Sequence, residues 1–158
     1  RKADTRNDSL LYEYLNKGFV ILKHFSYFEP VEEGAEVVDV NYYADSIIDV
    51  TEELGVYETL LIADIAVGSF SSALYSFMVS GKPVIVYSPD VKSDIANIES
   101  FIPLEENCPS PVCKNAEELI NEILNFKNYD YTKYNELKEK YLTLCDGEST
   151  SRLLELLK

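Results

Sequence analysis

Residues 64–90, DIAVGSFSSALYSFMVSGKPVIVYSPD, leave the chain little choice of fold. Ile65 to Val67 is a short apolar run and Gly68-Ser69-Phe70 turns the chain. Ser71 stands where a helix N-cap belongs, because its hydroxyl can accept from an otherwise unpaired amide. Ala73, Leu74, Phe77 and Met78 then fall on one face, at the spacing of a helix packed on a sheet. Gly81 supplies a C-cap and Pro83 forbids continuation of the helix. Val84 to Tyr87 is apolar on both faces, as a strand inside a parallel sheet tends to be. The unit reads as strand, turn, helix, turn, strand.

Such a unit has one chemical property of interest. A helix that begins in a Gly/Ser turn at the carboxyl end of a parallel strand points free N–H groups and a partial positive charge outward. Open α/β sheets hold their ligands at that edge. Gly68, Ser69, Phe70, Ser71 and Ser72 are therefore candidates for holding a phosphate or carboxylate, although small residues also serve simply to let a turn close. The chain carries 28 acidic against 14 basic residues, a formal charge of −14. That field repels nucleic-acid phosphate and anionic lipid, so neither a nucleic-acid partner nor direct membrane contact is expected. It also opposes small anions, so a phosphate site needs local compensation, for which Lys82 and Lys23 are the candidates.

A length of 158 residues and 46% hydrophobic content fit one globular domain spanning 1–158. Cys108, Cys113 and Cys145 are odd in number and form no Cys-x-x-Cys pair, and the chain holds one histidine. A Cys108–Cys113 disulfide is open but unforced. Reduced thiols in a cytoplasmic protein are expected, with no metal and no cofactor.

Taken in order, residues 7–17 read as a helix with Leu10, Leu11, Tyr14 and Leu15 on one stripe. Phe19 to Leu22 is a buried strand with Lys23-His24 at its carboxyl end, where a lone histidine is more often structural than functional. Residues 25–45 suggest a loop, and Ser46 to Val50 a strand. Tyr57 to Ala63 looks like a short, well-buried helix through Leu60, Leu61 and Ile62. Val91 to Ser100 reads as irregular or partly helical, and Phe101 to Val112, with three prolines, as an extended connection. Residues 115–158 form a helical tail. Asn115 caps a helix striped by Leu119, Ile120, Ile123 and Leu124, a second spans Thr132 to Leu144, and a third spans Glu148 to Leu157 with Leu153, Leu154 and Leu157 inward. Strands alternating with helices and then a helical tail predict an α/β, Rossmann-like parallel sheet with flanking helices.

From Phe19 onward the chain resembles the C-terminal half of the CDP-glycerol glycerophosphotransferase family, the teichoic-acid primases and polymerases of GT-B architecture. Val20 to Phe25, VILKHF, is similar to the family's strand ending in Lys/Arg-x-His-Pro. Asp49 to Asp64 is similar to its acidic-ended strand and the Leu-Leu-x-x-(Ser/Ala)-Asp segment. Gly68 to Phe77 occupies the place of a Thr-Asp-Tyr-Ser-Ser turn and helix, and Gly81 to Asp90 that of a Lys-Pro-led strand. Pro109-Ser110-Pro111 and the helix after it, and Asp146-Gly147 to Arg152, match the Pro-Gly-Pro segment and the Asp-Gly-x-x-Ser-x-Arg tail. The resemblance implies the nucleotide-binding domain of a GT-B transferase in teichoic-acid or capsule synthesis, using a CDP- or UDP-linked polyol or sugar. It places His24, Ser71 and Ser72 at the diphosphate, His24 with a leaving-group role. It also implies that an N-terminal acceptor domain is missing, so that this fragment alone is inactive, and that the parent works at the inner face of the plasma membrane.

Departures from the pattern bear on the donor. Ser69 and Phe70 stand where the family has Asp and Tyr, Ser76 replaces an acid, and Glu99-Ser100-Phe101 replaces Arg-Gly-Phe. A donor other than CDP-glycerol is therefore open. The alternative from another class is a non-catalytic α/β interaction module derived from such a transferase, in which the Ser-rich turn is only structural.

Overall fold

The computed structural model describes residues 20–23, 47–96 and 106–157. Their strands form two parallel groups. In the first, β1 (Ile21–Lys23) pairs with β2 (Ile47–Asp49). In the second, the order is β3 (Ala66–Gly68), β4 (Val84–Tyr87), β5 (Val112–Cys113), with Gly68 opposite Val86 and Tyr87 opposite Cys113. The helices are α1 (Val56–Ile62), α2 (Ser72–Met78), α3 (Val91–Ala96), α4 (Ala116–Leu124), α5 (Thr132–Tyr141) and α6 (Ser149–Leu156). A 3₁₀ turn, Phe126–Asn128, follows α4. The expected α/β architecture with a parallel sheet, flanking helices and a helical tail is present. The expected helix over 7–17, the loop over 25–45 and the site residue His24 lie outside the described residues.

β4 is the central strand, and its alternation explains the layering. Val84 and Val86 belong to one buried cluster with Leu74, Phe77 and Met78 of α2 and Tyr134 and Leu137 of α5. Ile85 points the other way, into a cluster with Cys113 and with Leu119 and Ile123 of α4. Each of these three β4 side chains is removed from water almost completely, worth about 1.5–3 kcal/mol apiece. The strand-helix-strand unit read from residues 64–90 is thus β3–α2–β4, one parallel crossover covering one face of the sheet. Its first strand begins at Ala66. Gly81 follows the C-cap Val79 at a distance of two residues and takes φ +77°, a left-handed conformation that suits glycine as the chain turns back toward β4.

Several expectations are corrected. β5 begins at the end of the stretch Phe101 to Val112, for which three prolines predict only an extended connection; two residues carry no periodicity, and the strand declares itself only by pairing with β4. Just upstream, the Ser110 hydroxyl accepts from the Val86 N–H at 3.0 Å. The α4 stripe uses Ala116, Leu119, Ile120 and Ile123, while Leu124 is exposed, because the buried arc begins one turn earlier than the sequence suggested. α5 ends at Tyr141. α1 forms where expected but is not well buried: Thr59 is its buried residue, whereas Leu61 and Ile62 are 75% and 59% exposed. A seven-residue helix shows one narrow side to its neighbour, and Thr59 occupies it, its hydroxyl bonded to the Gly55 carbonyl at 3.1 Å. In α6, Leu153, Leu154 and Leu157 point outward rather than inward, and the helix contributes to neither buried cluster. It is tied down instead by polar contacts. Arg152 Nη1 and Nη2 donate to Asp146 Oδ2 and Oδ1 at 2.9 and 3.0 Å, and Nη2 also donates to the Leu144 carbonyl at 2.8 Å.

Candidate functional site

Because β3, β4 and β5 are parallel, the three loops that leave their carboxyl ends meet at one edge of the sheet. The first is the predicted turn. Gly68 ends β3, and Ser69 to Ser71 carry the chain into α2. Ser71 has extended backbone (φ −129°, ψ 141°), and its hydroxyl accepts from the Ala73 N–H at 3.2 Å, as an N-cap should. Its carbonyl accepts from the Leu74 N–H at 3.1 Å. Two of the amides at the helix start are thereby occupied, and among the described residues the Ser72 N–H has no hydrogen-bond partner.

The five residues of the turn divide by role. Phe70 packs against the cluster around Phe77 and Tyr134 and anchors the turn to the core. Gly68 is not demanded by space, since a Cβ there would meet Leu74 Cδ2 at 3.5 Å, ordinary van der Waals contact. Ser71 is committed to capping. Ser69 and Ser72 are exposed, and among the described residues neither hydroxyl has a hydrogen-bond partner. The hydroxyl of Ser76, one turn along α2, donates back to the Ser72 carbonyl at 3.2 Å.

The second loop holds a feature the sequence reading missed. Ser88, fully buried just beyond β4, donates its hydroxyl to Asp94 Oδ2 at 2.5 Å and so fixes the start of α3. Only the position after a strand hinted at it. The third loop was legible: Asn115 Oδ1 accepts from Glu118 N–H at 3.0 Å, while Asn115 Nδ2 and Lys114 N–H both donate to the Glu118 carboxylate at 2.7 Å. This reciprocal pattern is like a capping box, with the returning bond taken one residue earlier, at the Lys114 N–H.

Lys82 is not part of this edge. It lies two residues before β4, at the amino edge of the same sheet, and its ammonium donates to the Ala63 carbonyl at 2.6 Å and the Leu61 carbonyl at 3.4 Å. There it caps the end of α1. The structure brings together Gly68, Ser69, Phe70, Ser71 and Ser72 and sets Lys82 apart from them. Lys23 ends β1, with its backbone opposite Asp49.

The amino edge carries its own cleft, about 360 Å³, lined in part by Glu106, Cys108, Ser110, Asp130 and Lys133. Burial pushes the Cys108 thiol up from its ordinary pKa, and burial with nearby Glu122 and Glu118 pushes Cys113 up to about 12. All three cysteines are free, Cys108 and Cys113 buried and Cys145 exposed. Burial thus favours the protonated thiol at both positions. No group of three or more potential metal ligands occurs among the described residues, and no helix there is long and apolar enough to cross a membrane.

Residues 3–158 match the family model described as CDP-Glycerol:Poly(glycerophosphate) glycerophosphotransferase. The chain belongs to that family. Among curated relatives of this glycerophosphotransferase-family chain is the teichoic acid ribitol-phosphate primase of Bacillus spizizenii, 23% identical over 113 residues, or 72% of this chain and 29% of the relative. The teichoic acid glycerol-phosphate primase of Bacillus subtilis is 27% identical over 124 residues, 77% of this chain and 31% of the relative. The chain therefore spans less than a third of the length of these two relatives. Among solved structures, a wall teichoic acid polymerase TagF variant soaked with CDPG superposes with a TM-score of 0.75 at 20% identity, covering 94% of this chain and 37% of that one. A TagF structure without that soak gives 0.75 at 21% identity.

Proposed function

We propose that this chain is the donor-nucleotide-binding part of a transferase of teichoic-acid type, acting on a CDP-linked polyol such as CDP-glycerol or CDP-ribitol. The family match across residues 3–158 carries the proposal. The geometry that supports it is the carboxyl edge, where the exposed Ser69 and Ser72 hydroxyls and the Ser72 amide lie beside a helix start without hydrogen-bond partners among the described residues. In the reaction so assigned, an acceptor hydroxyl attacks the polyol-side phosphorus, a new P–O bond forms, and the P–O bond to CMP breaks. Negative charge grows on the departing nucleotide phosphate. Donors already aimed at that charge lower the barrier without reorganising. Ser69 and Ser72 take this role, Ser71 holds the helix start in register, and Phe70 holds the turn against the core. His24, the residue after β1, is assigned the leaving-group contact. The acceptor, its base and the location, which we assign to the cytoplasmic face of the membrane, belong to the rest of the relatives' length.

Amide-resolved NMR titration with CDP, UDP and CDP-glycerol tests the reading. Shifts clustered at residues 69–73 and ordered CDP above UDP are expected. A flat response at millimolar CDP in the folded full-length protein would sink it. The replacement of family acids by Ser69 and Ser76 favours one competing reading, a non-catalytic interaction module. That reading requires Ser72→Ala to leave the function of the full-length protein intact.

A further inference from the structure

Beyond His24 and Lys23 at the end of β1, the donor edge described above has hydroxyls and amides but no assigned cation, in a chain of formal charge −14. A diphosphate carries at least two negative charges, so some local positive charge has to face it. Lys82 is excluded by position and by its two carbonyl partners.

Two lysines stand at the right edge. Lys114 is the first residue beyond β5, and Lys92 lies in the first turn of α3, shortly beyond β4. Both are exposed, and among the described residues neither ammonium has a hydrogen bond or ion pair. Two of their acidic neighbours are hydrogen-bonded by other groups: Glu118 by the Lys114 N–H and the Asn115 amide, Asp94 by the Ser88 hydroxyl. Each carboxylate is thus fixed near a loop without closing an ion pair on the lysine beside it. β3 and β5 lie two strand spacings apart, about 10 Å. A nucleoside diphosphate bound at Ser69 and Ser72 and lying across the end of β4 spans that distance, within reach of a long side chain from the far strand.

We propose that Lys114, assisted by Lys92, is the phosphate-binding cation of the donor site. The inference rests on the donor-site reading and names the charge that reading lacks. Lys114 sets the preference for a diphosphate over a monophosphate or a free nucleoside. Lys92 adds to the local potential from the neighbouring loop.

Calorimetric titration of the full-length protein with CDP, CMP and cytidine tests this, comparing wild type with Lys114→Ala, Lys114→Arg, Lys92→Ala and Lys127→Ala. Lys127 is an exposed lysine of the 3₁₀ turn, at the end of α4 remote from this edge, and controls for net charge. Lys114→Ala should weaken CDP binding about three- to fivefold, the range of an exposed ion pair, CMP less, and cytidine not at all. Lys92→Ala should weaken CDP less than Lys114→Ala, while Lys114→Arg and Lys127→Ala should match wild type. The loss should shrink in about 0.5 M KCl, where charges are screened within a few ångströms. If Lys114→Ala binds CDP as wild type does while Ser72→Ala does not, the inference falls and the donor site stands. If Lys114→Ala weakens cytidine as much as CDP, the residue acts on fold rather than on phosphate, and the inference also falls. If folded wild type binds no CDP, the donor reading falls and takes the inference with it.

Discussion

At the amino edge of the β3–β4–β5 sheet, side chains close on backbone. Tyr129 donates its hydroxyl to the carbonyls of Val84 and Pro109, both at 2.9 Å, and buried Tyr134 donates to the Met78 carbonyl at 2.8 Å. Lys82 caps the end of α1, and the Tyr75 hydroxyl reaches the Asn107 carbonyl at 2.7 Å. At the carboxyl edge the first turn leaves Ser69 and Ser72 open, and its one side-chain cap, Ser71, serves its own helix. One edge spends its polar groups on holding elements together, whereas the first turn of the other leaves two exposed hydroxyls without a hydrogen-bond partner among the described residues. The stability of the sheet and the chemistry of the site can therefore be altered separately.

The sharpest way to break that separation is at Tyr134, whose ring meets Tyr129 and Tyr131 edge-on at 6.0 and 5.2 Å. Tyr134→Ala should cost about 3–5 kcal/mol in denaturant unfolding, the range for truncating a buried aromatic. A value below about 1 kcal/mol would mean that the amino edge is not the structural one. Tyr129→Phe keeps the ring and removes the hydroxyl from two carbonyls, and should cost about 1–2 kcal/mol. CDP binding by the folded fraction should not change. Lys82→Ala should cost about 1 kcal/mol through the uncapped end of α1. A loss of CDP affinity beyond that in the same variant would return Lys82 to the site. In the opposite sense, Ser71→Ala should cost about 1 kcal/mol as a lost N-cap, while Ser72→Ala should stay within about 0.5 kcal/mol and still weaken CDP.

The smallest effect concerns α6. Hydrogen bonds from Arg152 and from Glu148 N–H hold the Asp146 carboxyl down from 3.8 to about 2. A folded value below the unfolded one contributes stability that is complete above pH about 4 and is lost as pH falls through about 2. Asp146→Asn should therefore speed amide exchange in α6 at neutral pH, and the difference should shrink to about half at pH about 2, where half of the wild-type carboxyl is protonated. Equal exchange rates at neutral pH would show that the pair does not hold the helix.

The β3–α2–β4 unit was legible because its signals are contiguous: a cap, a helical stripe and an apolar strand in 27 successive residues, 64–90. The turn at 68–72 was legible for the same reason, down to Ser71 as the cap. Lys82 was misplaced because nearness in sequence is not nearness in space. Between Ser71 and Lys82 runs α2, whose seven residues carry the chain about 10 Å from one sheet edge to the other. The leucines of α1 and α6 misled for a different reason. An apolar stripe tells which side of a helix could be buried, and says nothing of whether a neighbour is there to bury it. β5 had too few residues to show a period, and Ser88 gave no sign that its hydroxyl would be buried on a carboxylate. Lys114, proposed above as the cation of the donor site, carries no signal of its own in the sequence because it precedes a cap, and a cap draws attention to the helix it starts rather than to the strand it ends.

The unequal burial of the three thiols has a practical side. Cys108 and Cys113 are enclosed and kept in the unreactive form, whereas Cys145 is exposed and adjoins Asp146. A maleimide dye at neutral pH should attach at one place without any cysteine having to be removed first. Its emission would then follow the loosening of α6 in the unaltered chain, one label reporting on the segment that packing leaves alone.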